Sequence, residues 1–368
     1  MSYQFIQPIQ GDRFDIVGDI HGEIDALNSL LHVMGYNLKG EHPEQRKLIF
    51  VGDLCDRGQN SVAVIQQVKI LMERGHAYCV LGNHELNLLN QSYREGNGWY
   101  FGSPHMDDHK SFYSVPATPE DQQWILQFLQ TLPIALESDQ IRVVHACWDT
   151  HSIQQLKALD KLHLLEAYEH FVQQTQQHIN DAGITEQACQ EAEQFREALT
   201  DPNSDIPWLK YLAQKEWIEQ MYNPIKVLTS GAEYMTDKPI YAGGKWRMKD
   251  RLPWWEDYQE DIPVIIGHYW RKFDLAEVKA GLFQQIDPLQ WFGHKQNVFC
   301  VDYSVGKRYL ENAERPCRRC AESNERVHIC RALLDHLPSP FVESPSAVGE
   351  RYGCNYGCCP LPCGLCAE

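Results

Sequence analysis

The first ninety residues alternate short apolar runs with stretches in which apolar side chains recur every three or four positions. The three apolar runs, which this pattern predicts to be buried strands, occupy residues 13–18, 47–51 and 77–81. Between them, two stretches place Leu, Ile, Val and Met on one helical face and end at Gly35 and Gly75. This β-α-β-α-β order predicts parallel strands joined by right-handed crossovers.

The pattern is more varied beyond residue 90. A loop rich in Gly and aromatic residues covers 91–114, and Thr118-Pro-Glu-Asp121 then combines a cap, a first-turn proline and early acids, which predicts a helix start. Residues 151–222 are rich in Gln, Glu and Leu and predict a helical insertion that caps the sheet, with a break near Asp201-Pro202. Further strands are predicted at residues 134–136, 141–144, 263–266 and 298–301.

Composition restricts the class of protein. The chain has 368 residues, of which 43% are hydrophobic, so it can form a large core. No run approaches the roughly 20 apolar residues that span a bilayer, and residues 1–18 are too polar for a signal peptide. We therefore expect a soluble, cytoplasmic protein without a membrane partner. The net charge of -17 argues against nucleic-acid binding. A phosphate-bearing substrate would need local positive charge, which metal ions can supply.

The cysteines divide the chain into two parts. Of 13 Cys, five are scattered over residues 1–311 and eight lie in residues 312–368, a segment that contains neither Lys nor Gln. We therefore interpret the body, 1–311, as one domain whose cysteines are reduced. We expect the tail, 312–368, to be irregular: disordered, or the product of a changed reading frame. The alternative is a zinc module built on Cys317-x-x-Cys320 and Cys363-x-x-Cys366.

Five of the predicted strands end in residues that can bind a metal ion or act on a phosphate. They are Asp19 and His21; Asp53, Asp56 and Arg57; Asn83 and His84; His145; and His268. Taken singly, each fragment fits an ordinary turn. In order at successive strand ends, they predict one shared site, because open parallel sheets gather ligands at the carboxyl ends of their strands.

These motifs resemble those of the calcineurin-like metallophosphoesterases of the phosphoprotein-phosphatase type, a group that includes PrpE-like and symmetrical dinucleoside-tetraphosphate hydrolases. The matching segments are Gly-Asp-Ile-His-Gly (18–22), Gly-Asp-Leu-Cys-Asp-Arg-Gly (52–58) and Gly-Asn-His-Glu (82–85), followed by His145 and His268. The family's His-Gly-Gly or His-Ala-Gly is His145-Ala-Cys-Trp here, closest to the PrpE-like branch. The resemblance implies a four-layer α/β/β/α sandwich, an α/β fold.

The resemblance also implies a site with two divalent metal ions about 3.5 Å apart. Asp19 and His21 would bind the first ion, Asp53 would bridge both, and the second would be held by Asn83, His145 and His268. This mixed ligand set favours Mn²⁺, with Fe or Zn²⁺ as alternatives, over Mg²⁺ alone.

Phosphoester hydrolysis would then proceed by in-line attack of a metal-bridging hydroxide. His84 would protonate the leaving oxygen, Asp56 would hold the His84 tautomer, and Arg57 would bind equatorial phosphate oxygens. The substrate is either a phosphoserine or phosphothreonine protein or a dinucleoside polyphosphate. The rival function is a non-catalytic metal-binding scaffold, and the oligomeric state is open.

Other residues allow two interpretations each. The aromatic residues near the motifs could stack on a nucleobase or pack in the loop core: Tyr93, Trp99, Tyr100 and Trp148. Three arginines could form a second phosphate clamp or lie on the surface: Arg247, Arg251 and Arg271. Asp302 could orient His268 or cap a turn. Cys55 and Cys147 are interpreted as buried spacers, and Glu85 as a loop stabiliser rather than a ligand.

Overall fold

The computed structural model describes residues 3–102, 114–159, 162–272, 281–303 and 305–307. The predicted domain boundary at residue 311 and the Cys-rich tail lie outside the described residues. In chain order, the first half contains β1 (Ile6–Pro8), β2 (Phe14–Val17), α1 (Ile24–Val33), β3 (Lys47–Phe50), α2 (Ser61–Glu73), β4 (Ala77–Cys79), α3 (Asn83–Leu89), α4 (Gly98–Phe101) and α5 (Pro119–Leu129). The second half contains β5 (Ala135–Glu137), β6 (Arg142–Val144), α6 (Thr150–Lys157), α7 (Leu164–Asp181), α8 (Thr185–Gln194), α9 (Lys210–Met221), α10 (Pro224–Ser230), β7 (Glu233–Ala242), β8 (Lys245–Arg251), β9 (Val264–Ile266) and β10 (Val298–Cys300).

The strands form two main sheets. One has the order β2-β3-β4 and is parallel throughout, which confirms the predicted β-α-β-α-β start. The other has the order β1-β5-β6-β9-β10, and its antiparallel pair is β5 with β6. The remaining strands, β7 and β8, form a separate antiparallel hairpin.

The two main sheets face each other across an apolar layer. Along β3, Ile49 is buried in a cluster with Val143 of β6 and Phe299 of β10, so its side chain joins the two sheets. The neighbouring residues Leu48 and Phe50 belong instead to the cluster that contains the helix α1 and α2 side chains. This alternation follows from the period of two in a strand, and it buries both faces of the sheet. The outer face of the five-stranded sheet shares that second cluster with side chains of α6. The result is the helix–sheet–sheet–helix order implied by the resemblance.

The predicted insertion is helical. Helices α6 to α9 occupy it, and α8 ends at Gln194, shortly before the expected break near Asp201-Pro202. Ile206, Leu209 and Ala213 pack with Met248 of β8 in a small apolar cluster of their own. The insertion therefore shares a core with the β7–β8 hairpin, which the sequence pattern did not predict. Within the described part of the chain, no helix has both the length and the apolar character that a membrane crossing needs.

Candidate metal centre

The loops after the strands adopt unusual backbone conformations at the predicted site residues. Five of the predicted site residues have a positive φ angle: His21 (48°), Asp53 (48°), Asp56 (72°), Arg57 (66°) and His268 (63°). Such conformations cost free energy in residues with a Cβ, and they persist only where surrounding contacts enforce them. Their concentration in these loops indicates that the fold holds these side chains in set directions.

Two glycines allow carboxylates to approach the backbone. A Cβ on Gly82 would lie 2.3 Å from Asp53 Oδ1, and a Cβ on Gly267 would lie 2.1 Å from Asp19 Oδ1. Both distances are far below van der Waals contact, so a larger residue would push the carboxylates away. The glycines of the two motifs are therefore required by the packing of the site.

Glu85 fastens the loop that carries Asp53. Its buried carboxylate accepts hydrogen bonds from the backbone N–H groups of Gly82 (3.0 Å), Asp53 (2.9 Å), Leu54 (2.8 Å) and Cys55 (3.3 Å). This agrees with its interpretation as a loop stabiliser. Cys55 and Cys147 are also buried, and burial raises the pKa of both thiols, so they fit their interpretation as spacers.

Asp53 lies at the centre of the site. Its Oδ1 is 3.3 Å from His145 Nε2, and its Oδ2 is 3.7 Å from His21 Nε2. Two groups of possible ligand atoms, each within 4.8 Å of one another, share this carboxylate: His21 with Asp53 and His84, and Asp53 with His145 and His268. Burial raises the pKa of Asp53, but attraction to His145 and His84 outweighs this effect and holds it well below its usual value.

The lone pairs that converge beside His145 are arranged to bind a cation. His145 Nδ1 donates to the Val51 carbonyl (2.7 Å), so a neutral imidazole points its Nε2 lone pair at Asn83 Oδ1 (3.1 Å) and Asp53 Oδ1 (3.3 Å). Three acceptors facing one another need a proton or a metal ion between them. Burial lowers the pKa of His145, but attraction to Asp53 outweighs it and raises this pKa to about 10. His268 Nδ1 lies 2.9 Å from the same Asn83 oxygen.

Asp19 follows β2 and contacts His268, which is 249 residues later in the chain. The His268 backbone N–H donates to both Asp19 oxygens, at 3.3 and 3.1 Å. Burial and repulsion from Asp302 raise the pKa of Asp19. Among the described residues, Asp19 is not part of either group of converging ligand atoms. It is nevertheless close enough to Asp53 and His145 to interact with both electrostatically.

Arg57 lies on the His21 side of Asp53. His21 Nδ1 donates to the Cys55 carbonyl (2.9 Å), so its Nε2 accepts a hydrogen bond from Arg57 Nη1 (2.9 Å). Arg57 Nη2 is 3.2 Å from His84 Nε2, and the guanidinium carbon is 5.0 Å from the centre of the Trp270 ring. The predicted phosphate-binding group is therefore held by two imidazoles and an indole.

His84 and Asp56 form the hydrogen bond expected of a proton donor and its orienting carboxylate. His84 Nδ1 donates to Asp56 Oδ2, and Trp99 Nε1 donates to Asp56 Oδ1. Burial lowers the pKa of His84, but attraction to Asp53 and the bond to Asp56 outweigh it, so this pKa is raised.

The structure distinguishes between the two interpretations of the aromatic residues, base stacking and packing in the loop core. Trp99, Tyr100 and Trp148 are buried, which agrees with packing in the loop core and removes them as stacking surfaces. Tyr93 is 39% exposed. Trp270, which we did not single out, is 40% exposed and contacts Arg57. Its one sequence signal is its position two residues after His268.

The three arginines that could form a second phosphate clamp lie in different environments. Arg271 is 1% exposed, surrounded by rings that include Phe283 and Phe299, and Nη1 donates to the Cys300 carbonyl. It is therefore neither a surface arginine nor a phosphate clamp. Arg247 bonds the Ala242 carbonyl within the hairpin. Arg251 is exposed and close to His268, whose pKa is lowered by burial and then by Arg251.

Known proteins that are similar to this chain include phosphoesterases. Residues 12–181 match the family described as calcineurin-like phosphoesterase. Bis(5'-nucleosyl)-tetraphosphatase PrpE, of the asymmetrical type, from Halalkalibacterium halodurans is 45% identical over 85 residues, which cover 22% of this chain and 33% of that protein. The protein of the same name from Oceanobacillus iheyensis is 37% identical over 100 residues, 26% of this chain and 37% of that protein. The matched stretches thus span about a third of these relatives' length.

A solved structure of a putative diadenosine tetraphosphatase aligns with 83% of this chain and 90% of its own, at 18% identity and a TM-score of 0.38.

Proposed function

We propose that this chain, which carries a calcineurin-like phosphoesterase domain over residues 12–181, hydrolyses phosphoric esters with two divalent metal ions. The observation that carries the proposal is the Asp53 carboxylate, which is shared by two groups of nitrogen and oxygen ligand atoms. A carboxylate between two such groups can hold a pair of closely spaced cations.

The proposed ligands divide around Asp53. Asp19 and His21 would hold the first ion, and Asn83, His145 and His268 would hold the second. His21 and His145 support this assignment, because each donates its Nδ1 proton to a backbone carbonyl and so directs its Nε2 lone pair inward. Imidazole, carboxylate and amide donors suit Mn²⁺, with Fe or Zn²⁺ as alternatives. When bound, the two ions supply Lewis-acid activation of the phosphate and of the attacking water.

The protein's own residues complete the reaction. His84 presents Nε2 to the leaving oxygen and protonates it. Asp56 accepts the hydrogen bond from Nδ1 and so keeps the ring turned with Nε2 towards the substrate. General acid catalysis of this kind contributes about 10²–10⁴-fold. Arg57 leaves its two imidazole partners and binds equatorial phosphate oxygens. Arg251, beside His268, is a second cation available to the substrate.

A dinucleoside polyphosphate is the substrate class that we propose, supported by the names of the two PrpE relatives. The alternative is a phosphoserine or phosphothreonine protein. The buried state of Trp99, Tyr100 and Trp148 means that base stacking on these three rings does not support the nucleotide.

The test compares turnover of diadenosine tetraphosphate, a phosphothreonine peptide and p-nitrophenyl phosphate by the Mn²⁺-loaded protein. We expect the highest kcat/KM on diadenosine tetraphosphate, and its products, ATP with AMP or two ADP, identify the bond that is cleaved. Preference for the peptide would reverse the substrate assignment. Protein that binds two ions but hydrolyses none of the three would favour the scaffold function.

A further inference from the structure

Among the described residues, the Arg57 guanidinium makes three contacts of two kinds. Two are hydrogen bonds to imidazole nitrogens, His21 Nε2 at 2.9 Å and His84 Nε2 at 3.2 Å. The third is with the face of Trp270, whose ring centre is 5.0 Å from the guanidinium carbon. The first two contacts use lone pairs that the proposed reaction needs for other purposes.

Both hydrogen bonds are incompatible with the working site. His21 would offer its Nε2 lone pair to a metal ion, and the proposed reaction directs His84 Nε2 at the leaving oxygen, so neither nitrogen would remain available to Arg57. Arg57 then loses both partners at the moment when it must face the phosphate. A half-buried arginine with no remaining partner would sample many rotamers, and ordering it again would weaken substrate binding.

The contact with Trp270 does not depend on a lone pair. A guanidinium is attracted to the electron-rich face of an indole, and this attraction survives rotation or sliding of the planar group over the ring. The positive φ of Arg57 (66°) and its place in the loop held by Glu85 fix the position of its backbone. The Trp270 ring fixes the position of the guanidinium at the other end of the side chain.

We propose that Trp270 is a positioning residue: its indole face keeps the Arg57 guanidinium beside the metal centre while the arginine exchanges His21 and His84 for the phosphate. This inference rests on the proposed function, since it assigns Trp270 a role through the phosphate-binding arginine. It extends that function to a residue outside the recognised motifs.

A double-mutant cycle tests the inference. Trp270→Ala, Trp270→Phe, Arg57→Ala and the Trp270→Ala/Arg57→Ala double variant are compared as Mn²⁺-loaded full-length proteins. The two readouts are the Kd for inorganic phosphate, measured by calorimetry, and kcat/KM on p-nitrophenyl phosphate. We expect Trp270→Ala to weaken both about tenfold and Trp270→Phe to retain most of the wild-type value. In the Arg57→Ala background, Trp270→Ala should have less than a twofold further effect.

Two controls keep the result specific. Trp208 is also exposed, at 36%, and Trp208→Ala should leave both readouts unchanged. Metal content and circular dichroism of the Trp270 variants should match the wild type. The inference is overturned if Trp270→Ala has no effect, if its loss persists in the Arg57→Ala background, or if the wild type binds no phosphate. A wild type that binds phosphate but hydrolyses no ester would instead contradict the proposed function. The Kd for phosphate would still test the positioning role of Trp270.

Discussion

His84 Nδ1 lies 2.5 Å from Asp56 Oδ2, and this carboxylate is fully buried. The other Asp56 oxygen accepts a 2.7 Å hydrogen bond from Trp99 Nε1, and the Asp56 backbone N–H donates to Ser61 Oγ. The carboxylate that orients His84 is therefore itself fixed from two directions. A histidine held in this way keeps one tautomer and one ring orientation, and this permits a specific prediction.

Replacement of His84 should separate catalysis from metal binding. We expect His84→Ala to keep both ions but to lose about 10²–10⁴-fold in kcat on substrates with poor leaving groups. The loss should be smaller on p-nitrophenyl phosphate, whose leaving group needs less protonation. Rates and metal content are measured together, with the exposed His151→Ala as the control. Because His84 also belongs to one group of possible ligand atoms, loss of an ion would show that it is a ligand instead.

Asp53 and Asn83 should differ in how many ions their loss removes. Asp53→Ala removes the one carboxylate shared by both groups, so we expect both ions to be lost together. Asn83→Ala should remove the second ion and leave the first. Elemental analysis after desalting gives the number of ions per chain, and Asp261→Ala, at a side chain that is 92% exposed, serves as the control. One fully occupied site in Asp53→Ala would contradict the bridging role.

Glu85 should matter for stability. Glu85→Ala leaves four buried backbone N–H groups without their acceptor, and we expect the free energy of unfolding to fall by about 2–4 kcal/mol. Urea unfolding of the metal-free protein measures this loss without a contribution from bound ions. The exposed Glu186→Ala should change stability by less than about 0.5 kcal/mol. A loss below that value in Glu85→Ala would mean that other contacts hold the loop.

The start of α5 gives a prediction for pH. Thr118 Oγ1 accepts from the Asp121 N–H (3.1 Å), and the Asp121 carboxylate accepts from the Thr118 N–H (3.0 Å). Burial raises the pKa of Asp121, but these bonds and one from Trp124 outweigh it and lower this pKa. A lowered pKa means that the charged carboxylate stabilises the fold above the unfolded-state value of about 3.9, and that this contribution is lost as the pH falls through the folded-state pKa.

Two variants check this behaviour by urea unfolding. Thr118→Ala should lose about 1 kcal/mol at pH 7. Asp121→Asn should lose a few tenths of a kcal/mol at pH 7, since the group is largely exposed and screened by solvent. Its difference from the wild type should shrink as the pH falls below about 3.9. A difference that stays constant with pH would show that the charge of Asp121 has no part in the cap.

The convergence of these candidate side chains was predictable from sequence because each of them follows the end of a recognisable strand. Asp53 and His145 follow apolar runs that are recognisable as buried strands, and the parallel order of these strands brings their ends together. Asn83 was predictable for the same reason, although the helix α3 that begins at this residue was not. What each side chain contacts across the site depends on residues hundreds of positions apart, and no local pattern contains that information.

The missed elements have different causes. The β7–β8 hairpin turns at Gly243 and Gly244, with φ of 60° and 79°, and a Gly-Gly pair between two strand-like segments is a turn signal that was available. The irregular pairing between Met235 and Ile240, next to Pro239, obscured the strand pattern. β1 had no such signal, since its three residues are a strand only through pairing with β5, as Ile6 does with Ala135. Arg271 was misjudged because its aromatic surroundings are assembled from distant parts of the chain.

The contact between Asp19 and His268 has a consequence for biosynthesis. The two residues are 249 positions apart, and His268 follows β9, which pairs with β10 near residue 300. A nascent polypeptide thus emerges from the ribosome with Asp19, His21 and Asp53 exposed long before the last donor is translated. In the proposed metal centre, binding of both ions would therefore have to wait until residue 268 has been translated, and products terminated earlier would lack the His268 ligand even where their first sheet has folded.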